Sequence, residues 1–110
     1  MKLNTDFRGD VVVITVEGEH LDASTHSAFV QQLKPITENY SKLVLNIAAL
    51  EFMDSSGIGV ILGTMRRARA GGGDVKLAAL PPRVKMLFDV TRVSNVFDIH
   101  STLDDAAAAF

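Results

Sequence analysis

Lys42-Leu43-Val44-Leu45-Asn46-Ile47, then Asp54-Ser55-Ser56-Gly57-Ile58-Gly59-Val60-Ile61-Leu62-Gly63, then Asp74-Val75-Lys76-Leu77-Ala78-Ala79-Leu80 are the three pieces that decide the fold. The first is a short, nearly continuous apolar run, as a strand covered on one or both faces requires. The second opens a helix to about Ala70, with Ile58, Ile61, Leu62, Met65 and Ala68 as its apolar stripe. Gly71-Gly72-Gly73 stops it, because glycine readily adopts the left-handed cap. The third alternates Val75, Leu77 and Ala79 and predicts another strand. Strand, helix, strand in that order implies a right-handed crossover and parallel pairing.

Working outward, Leu3, Thr5 and Phe7 alternate with polar residues, and Val11 to Val16 is rich in β-branched side chains. Arg8-Gly9-Asp10 between them is turn chemistry, so a hairpin opens the chain. The same tripeptide resembles an integrin-type ligand, a reading that needs an exported chain. Gly18 ends the second strand, and Asp22 has the chemistry of a helix cap. Phe29, Val30, Leu33 and Ile36 recur at helical spacing, with Pro35 set to kink or end that helix. Later, Pro81-Pro82 opens a helix carrying Val84, Met86, Leu87 and Phe88. Val96, Phe97 and Ile99 suggest a last short strand, and Ser101, with Asp104 three residues on, a cap for a terminal helix. The expected fold is α/β: a single domain spanning residues 1–110, a mixed, mostly parallel sheet with packed helices.

Composition narrows the function. In 110 residues, 47% are hydrophobic and 22% charged, which suits one globular domain. Net charge is −2, from 11 Lys+Arg against 13 Asp+Glu. No basic footprint for nucleic acid or anionic membrane is present, so neither is expected as a partner. The absence of cysteine excludes a disulfide scaffold, a thiol nucleophile and a cysteine zinc site. Met1 to Asp6 has no apolar signal core, and no apolar run reaches the ~20 residues of a bilayer span, so direct membrane insertion is not expected. A cytoplasmic location is expected.

Chemistry concentrates at Asp54-Ser55-Ser56-Gly57, where a loop turns into a helix. Helix starts present unpaired N–H groups and a positive dipole end, which suits an anion such as a phosphate. In the plainer reading, Asp54 or Ser55 caps the helix. Gly57, Gly59 and Gly63 strain that reading, since each costs roughly 1 kcal/mol relative to alanine. Close approach of this helix to the sheet or to a partner would offset the cost. His20, His26 and His100 show no metal-ligand spacing. Ser55 and Ser56 lack a Gly-x-Ser-x-Gly elbow, and the glycines lack the Gly-Lys-Ser/Thr of a P-loop. Arg66, Arg67 and Arg69 read as a solvated helix face, or as a patch for an acidic partner.

The stretch Phe52-Met53-Asp54-Ser55-Ser56-Gly57-Ile58-Gly59-Val60-Ile61-Leu62-Gly63 resembles the phosphorylation segment of the anti-sigma factor antagonists, the bacterial STAS domains. Gly18-Glu19 with Leu21-Asp22 resembles that family's loop before the first helix, and Pro82, Val84, Lys85, Leu87 and Phe88 resemble its third helix. The resemblance covers essentially the whole chain and implies a partner switch with no catalysis and no cofactor of its own. It makes Ser55 the serine phosphorylated by a protein that is both anti-sigma factor and kinase. The unphosphorylated form binds that protein and frees the sigma factor; a metal-dependent serine phosphatase restores it. Asp22, Met53, Asp54, Ser56, Gly57 and Ile58 are the partner-binding residues so implied, with at least one of Met53 and Ile58 expected to be an exposed apolar contact. His20 departs from the family pattern as an extra residue able to bulge the loop beside the site. The alternative is a STAS subunit of another assembly, a non-sigma switch or a lipid-transport complex.

Overall fold

The computed structural model describes residues 2–110. Strand β1 (Lys2–Arg8) turns at Gly9, φ +65°, into β2 (Val11–Glu17), and the two pair antiparallel from Lys2–Glu17 to Arg8–Val11. The chain continues through β3 (His20–Leu21), α1 (His26–Thr37), β4 (Lys42–Asn46), β5 (Phe52–Met53), α2 (Ser55–Ala70), β6 (Asp74–Ala78) and α3 (Pro82–Val90). A 3-10 turn (Val93–Asn95), β7 (Asp98–His100) and α4 (Leu103–Ala108) complete it. The main sheet runs β1-β2-β4-β6-β7, parallel except for β1. The mixed, mostly parallel α/β architecture read from the sequence is the one observed.

Alternation along the central strands explains their unbroken apolar runs. Val12, Ile14, Val16, Leu43, Leu45, Val75 and Leu77 point into the core that also takes Phe29 and Leu33 of α1, Ile58, Ile61 and Met65 of α2, and Phe88 of α3. Val11, Val13, Val44 and Ala78 point the other way, onto Ala106 of α4. A strand apolar on both sides must be covered on both sides. Among the described residues, no helix is long and apolar enough to cross a membrane.

Several boundaries differ from the sequence reading. Asp22 does not cap α1. Its carboxylate accepts hydrogen bonds from the Ser24 N–H (2.9 Å) and hydroxyl (2.6 Å), building a turn, and the helix begins at His26 with Thr25 as its cap position. α1 runs through Pro35 to Thr37: the proline forfeits one ladder bond, but the turn still closes past it, the Glu38 N–H donating to the Lys34 carbonyl (3.0 Å) and the Tyr40 N–H to the Ile36 carbonyl (2.9 Å). Among the three glycines after α2, the left-handed one is Gly72, φ +87°, and not the cap residue Gly71. The last strand starts at Asp98. Val96 and Phe97 precede it, and Phe97 is drawn into the core against Phe88 at 5.9 Å between ring centroids. Thr102, not Ser101, caps α4, its hydroxyl accepting from the Asp105 N–H at 3.1 Å. Arg69 is not a free surface charge: it reaches Asp74 (2.9 Å) and the Val96 carbonyl (2.8 Å), fastening α2 to the end of the sheet.

Candidate functional site

The site is built on a feature invisible to periodicity. β3 and β5, two residues each, pair parallel as His20–Phe52 and Leu21–Met53. The Glu19 carbonyl accepts from the N–H groups of Glu51 (2.7 Å) and Phe52 (3.0 Å), and the Leu21 carbonyl from that of Asp54 (3.3 Å). This ribbon holds the approach to α1 beside the start of α2. His20 does not bulge. It takes a regular place in the ribbon, its ring 6.1 Å from that of Phe52.

Asp54 stands in extended backbone just before α2 and caps it, the plainer of the two roles the sequence allows. Its Oδ1 accepts from the Ser56 N–H (2.9 Å), the Gly57 N–H (3.2 Å) and the Ser56 hydroxyl (2.5 Å). Its Oδ2 accepts from the Ala23 N–H at 3.3 Å, thirty-one residues away in sequence. One carboxylate therefore ends α2 and ties the β3–α1 turn to it. The bond from Ser56, foremost, and those from Gly57 and Ala23 hold the Asp54 carboxyl below the usual carboxylate range. Asp22 is lowered likewise, chiefly by the Ser24 hydroxyl, with the Asp54 charge opposing.

The two serines differ sharply. Ser56 is half-buried and its hydroxyl is committed to Asp54. Ser55, the first residue of α2, is exposed, and among the described residues its hydroxyl makes no hydrogen bond. Phosphate added there would extend into solvent from a helix N-terminus.

Beneath the serines the segment is core. Met53 and Ile58 are 5% and 6% exposed, so the expectation that one of them forms an exposed apolar contact is not met. Met53 faces inward from β5, and Ile58 belongs to the buried stripe of α2. The exposed apolar neighbour is Phe52, whose side chain alternates to the opposite face of the ribbon. Gly57 is buried for a steric reason. A Cβ there would lie 2.6 Å from the Leu21 carbonyl oxygen and 2.8 Å from Met53 Cγ. The close approach anticipated for the helical glycines is thus real at Gly57, and it is to the ribbon. Gly59 meets nothing within 4 Å, and Gly63 only the Arg67 guanidinium at 3.6 Å.

The histidines serve local structure: His26 Nδ1 lies 3.0 Å from the Ala23 carbonyl oxygen and His100 Nε2 2.9 Å from Asp98. No group of three or more potential metal ligands forms among the described residues.

The cap gives a pH test. A carboxyl whose pKa is lowered by folding adds stability above its unfolded value, about 3.9, and loses it as pH falls through the folded value. Asp54→Ala should therefore melt several degrees below wild type at neutral pH. Scanning calorimetry should show the gap closing once pH drops below the ordinary carboxylate range. A gap that stays constant into strong acid would mean the carboxylate charge is not what matters.

Comparison with known proteins defines the class first. The fold matches an anti-sigma factor antagonist from Mycobacterium paratuberculosis with a TM-score of 0.86, at 25% identity, over 98% of this chain and 92% of that one. It matches the anti-sigma factor antagonist SpoIIAA in its unphosphorylated form with a TM-score of 0.77, at 25% identity, over 96% of this chain and 92% of that one. The Bacillus cell fate determinant SpoIIAA in its phosphorylated form also matches, with a TM-score of 0.73 at 23% identity, over 98% of each chain. In sequence, the chain is 30% identical over 101 residues to the anti-sigma-B factor antagonist of Bacillus subtilis (strain 168), covering 90% of this chain and 92% of that protein. Residues 2–106 match the STAS domain, and the chain belongs to the STAS domain family.

Proposed function

We propose that this protein is an anti-sigma factor antagonist working as a phosphorylation-controlled partner switch. Unphosphorylated, it binds an anti-sigma factor that is also a serine kinase, and the sigma factor is released. Phosphorylation of Ser55 blocks that binding, and a metal-dependent serine phosphatase reverses it. The chain is substrate and ligand in this cycle, with the chemistry supplied by its partners, and the cytoplasm is where the cycle places it.

The observation that carries this reading is the contrast between the two adjacent hydroxyls, Ser55 exposed and unengaged, Ser56 held by Asp54. The names of the relatives, and the existence of a phosphorylated form of one structural neighbour, agree with it. The contact surface so proposed comprises Asp22, Asp54, Ser55 and Ser56. Gly57 lets α2 sit close under it, and Met53 and Ile58 support it from the core.

The test starts with paired baits in extract of the source cell. Ser55→Ala should retain a protein that Ser55→Asp loses. With that protein and Mg-ATP, mass spectrometry should find phosphate on wild type and on Ser56→Ala and none on Ser55→Ala. Phosphate on Ser55→Ala and none on Ser56→Ala would move the modification by one residue.

A further inference from the structure

Three large apolar side chains that the fold leaves in solvent converge on one place. Phe52, Met86 and Val90, 48%, 65% and 76% exposed, line a groove of about 410 Å³ between β5 and α3, with buried Met53 also in its lining. Met86 and Val90 stand four residues apart, hence side by side on the outer face of α3, while Val84 and Phe88 anchor its inner face. The groove begins at Glu51 to Met53, immediately before Asp54. Nothing in the core needs these three side chains outside.

Charge says what could fill it. Glu19 and Glu51 flank one end of the β3–β5 ribbon, and Asp22 and Asp54 the other. Among the described residues none of the four is in an ion pair; Glu51 alone of them lines the groove, where Arg83 is the one cation, and the acidic excess lies along the ribbon beside it. A second copy laid over groove and ribbon would set these four carboxylates against their own counterparts, with Arg83 alone to offset them. A complementary surface instead carries an apolar side chain flanked by lysine or arginine.

We infer that the groove between β5 and α3 is the affinity-bearing half of the switch interface, docking a partner protein that presents an apolar side chain beside Lys or Arg. This rests on the partner-switch reading and adds a division of labour to it: the groove supplies attraction, and Ser55, at the ribbon's other end, supplies the veto.

The probe is the protein retained by Ser55→Ala and lost by Ser55→Asp, produced pure and titrated calorimetrically. Met86→Asp and Val90→Asp should each weaken binding by at least about tenfold, and Met86→Leu should bind as wild type. Glu51→Lys should weaken binding several-fold at about 0.05 M salt, with the gap closing near 0.5 M as charges are screened. Melting temperatures should stay near wild type, since all three positions are exposed. If Met86→Asp and Val90→Asp bind normally while Ser55→Asp does not, the groove assignment fails and the switch stands. If no protein distinguishes the paired baits, both fail. If the pure chain sediments as a dimer that Met86→Asp dissociates, the groove belongs to a second copy and the inference is overturned.

Discussion

Ser55→Asp is expected to weaken partner binding by about 100-fold, roughly 2.7 kcal/mol, while the melting temperature barely moves. The two halves of that expectation have separate causes. In the free protein the new carboxylate projects into water at the start of α2, where the helix dipole favours it. Asp54 and Asp22 are close and ionised, so part of the benefit is cancelled, and the net effect on folding is small. In the complex the same carboxylate would be stripped of water beside two others. A buried charge without a matching cation costs several kcal/mol. Phosphoserine, at about −1.5 to −2 charge, should act more strongly still. Ser55→Ala removes the acceptor and adds no charge, so its binding should match wild type. Calorimetric titration of the three proteins checks the order. A large fall in melting temperature for Ser55→Asp would place the switch in the fold and not at the surface.

The largest stability effect is expected far from that site, at Gly73. A Cβ there would lie 1.8 Å from the Ser41 carbonyl oxygen and 2.3 Å from its carbon, both backbone atoms with no rotamer to yield. Gly73 comes just before β6, whose pairing with β4 begins where the Asp74 N–H donates to that same Ser41 oxygen at 2.9 Å. Gly73→Ala must push the start of β6 away from β4, losing this bond and disturbing the Arg69–Asp74 pair. Alanine's gain from a less flexible unfolded chain is about 0.4–1 kcal/mol. The clash should outweigh it, for a net loss of about 3 kcal/mol, the upper part of the overpacking range. That corresponds to a fall of roughly 10 °C or more for a domain of this size. Urea and thermal denaturation measure it; an unchanged midpoint would show that the strand start yields freely.

How much of this was legible beforehand depends on element length and on competing signals. Leu43 to Leu45 announced a strand covered on both faces because they are apolar in succession, Val75 and Leu77 announced another by alternating about Lys76, and the helix between the two strands made the pair parallel. The start of α2 was legible because Asp54 does what an aspartate in that position can do. The β3–β5 ribbon was not, since two residues have no period and its bonds join residues 19–21 to 51–54. Asp22 misled as a cap because a side chain that can cap can equally build the preceding turn. Ser101 and Thr102 each have an aspartate three residues on, and the pattern alone could not separate them. The position of Met53 depended on which way the ribbon faced, whereas Ile58 already stood in the apolar stripe of α2. The outward residue, Phe52, lay in the quoted segment, and strand alternation around Met53 was the signal that pointed to it.

Asp54 holds partners on either side of a long excursion of the chain, taking Ser56 with one oxygen and the turn after Asp22 with the other. An excised decapeptide with the same letters would lack that distant anchor. The Ser56–Asp54 bond could still form there, but without the Ala23 brace, so under the proposed switch any preference for Ser55 should be weaker on the peptide than on the folded chain.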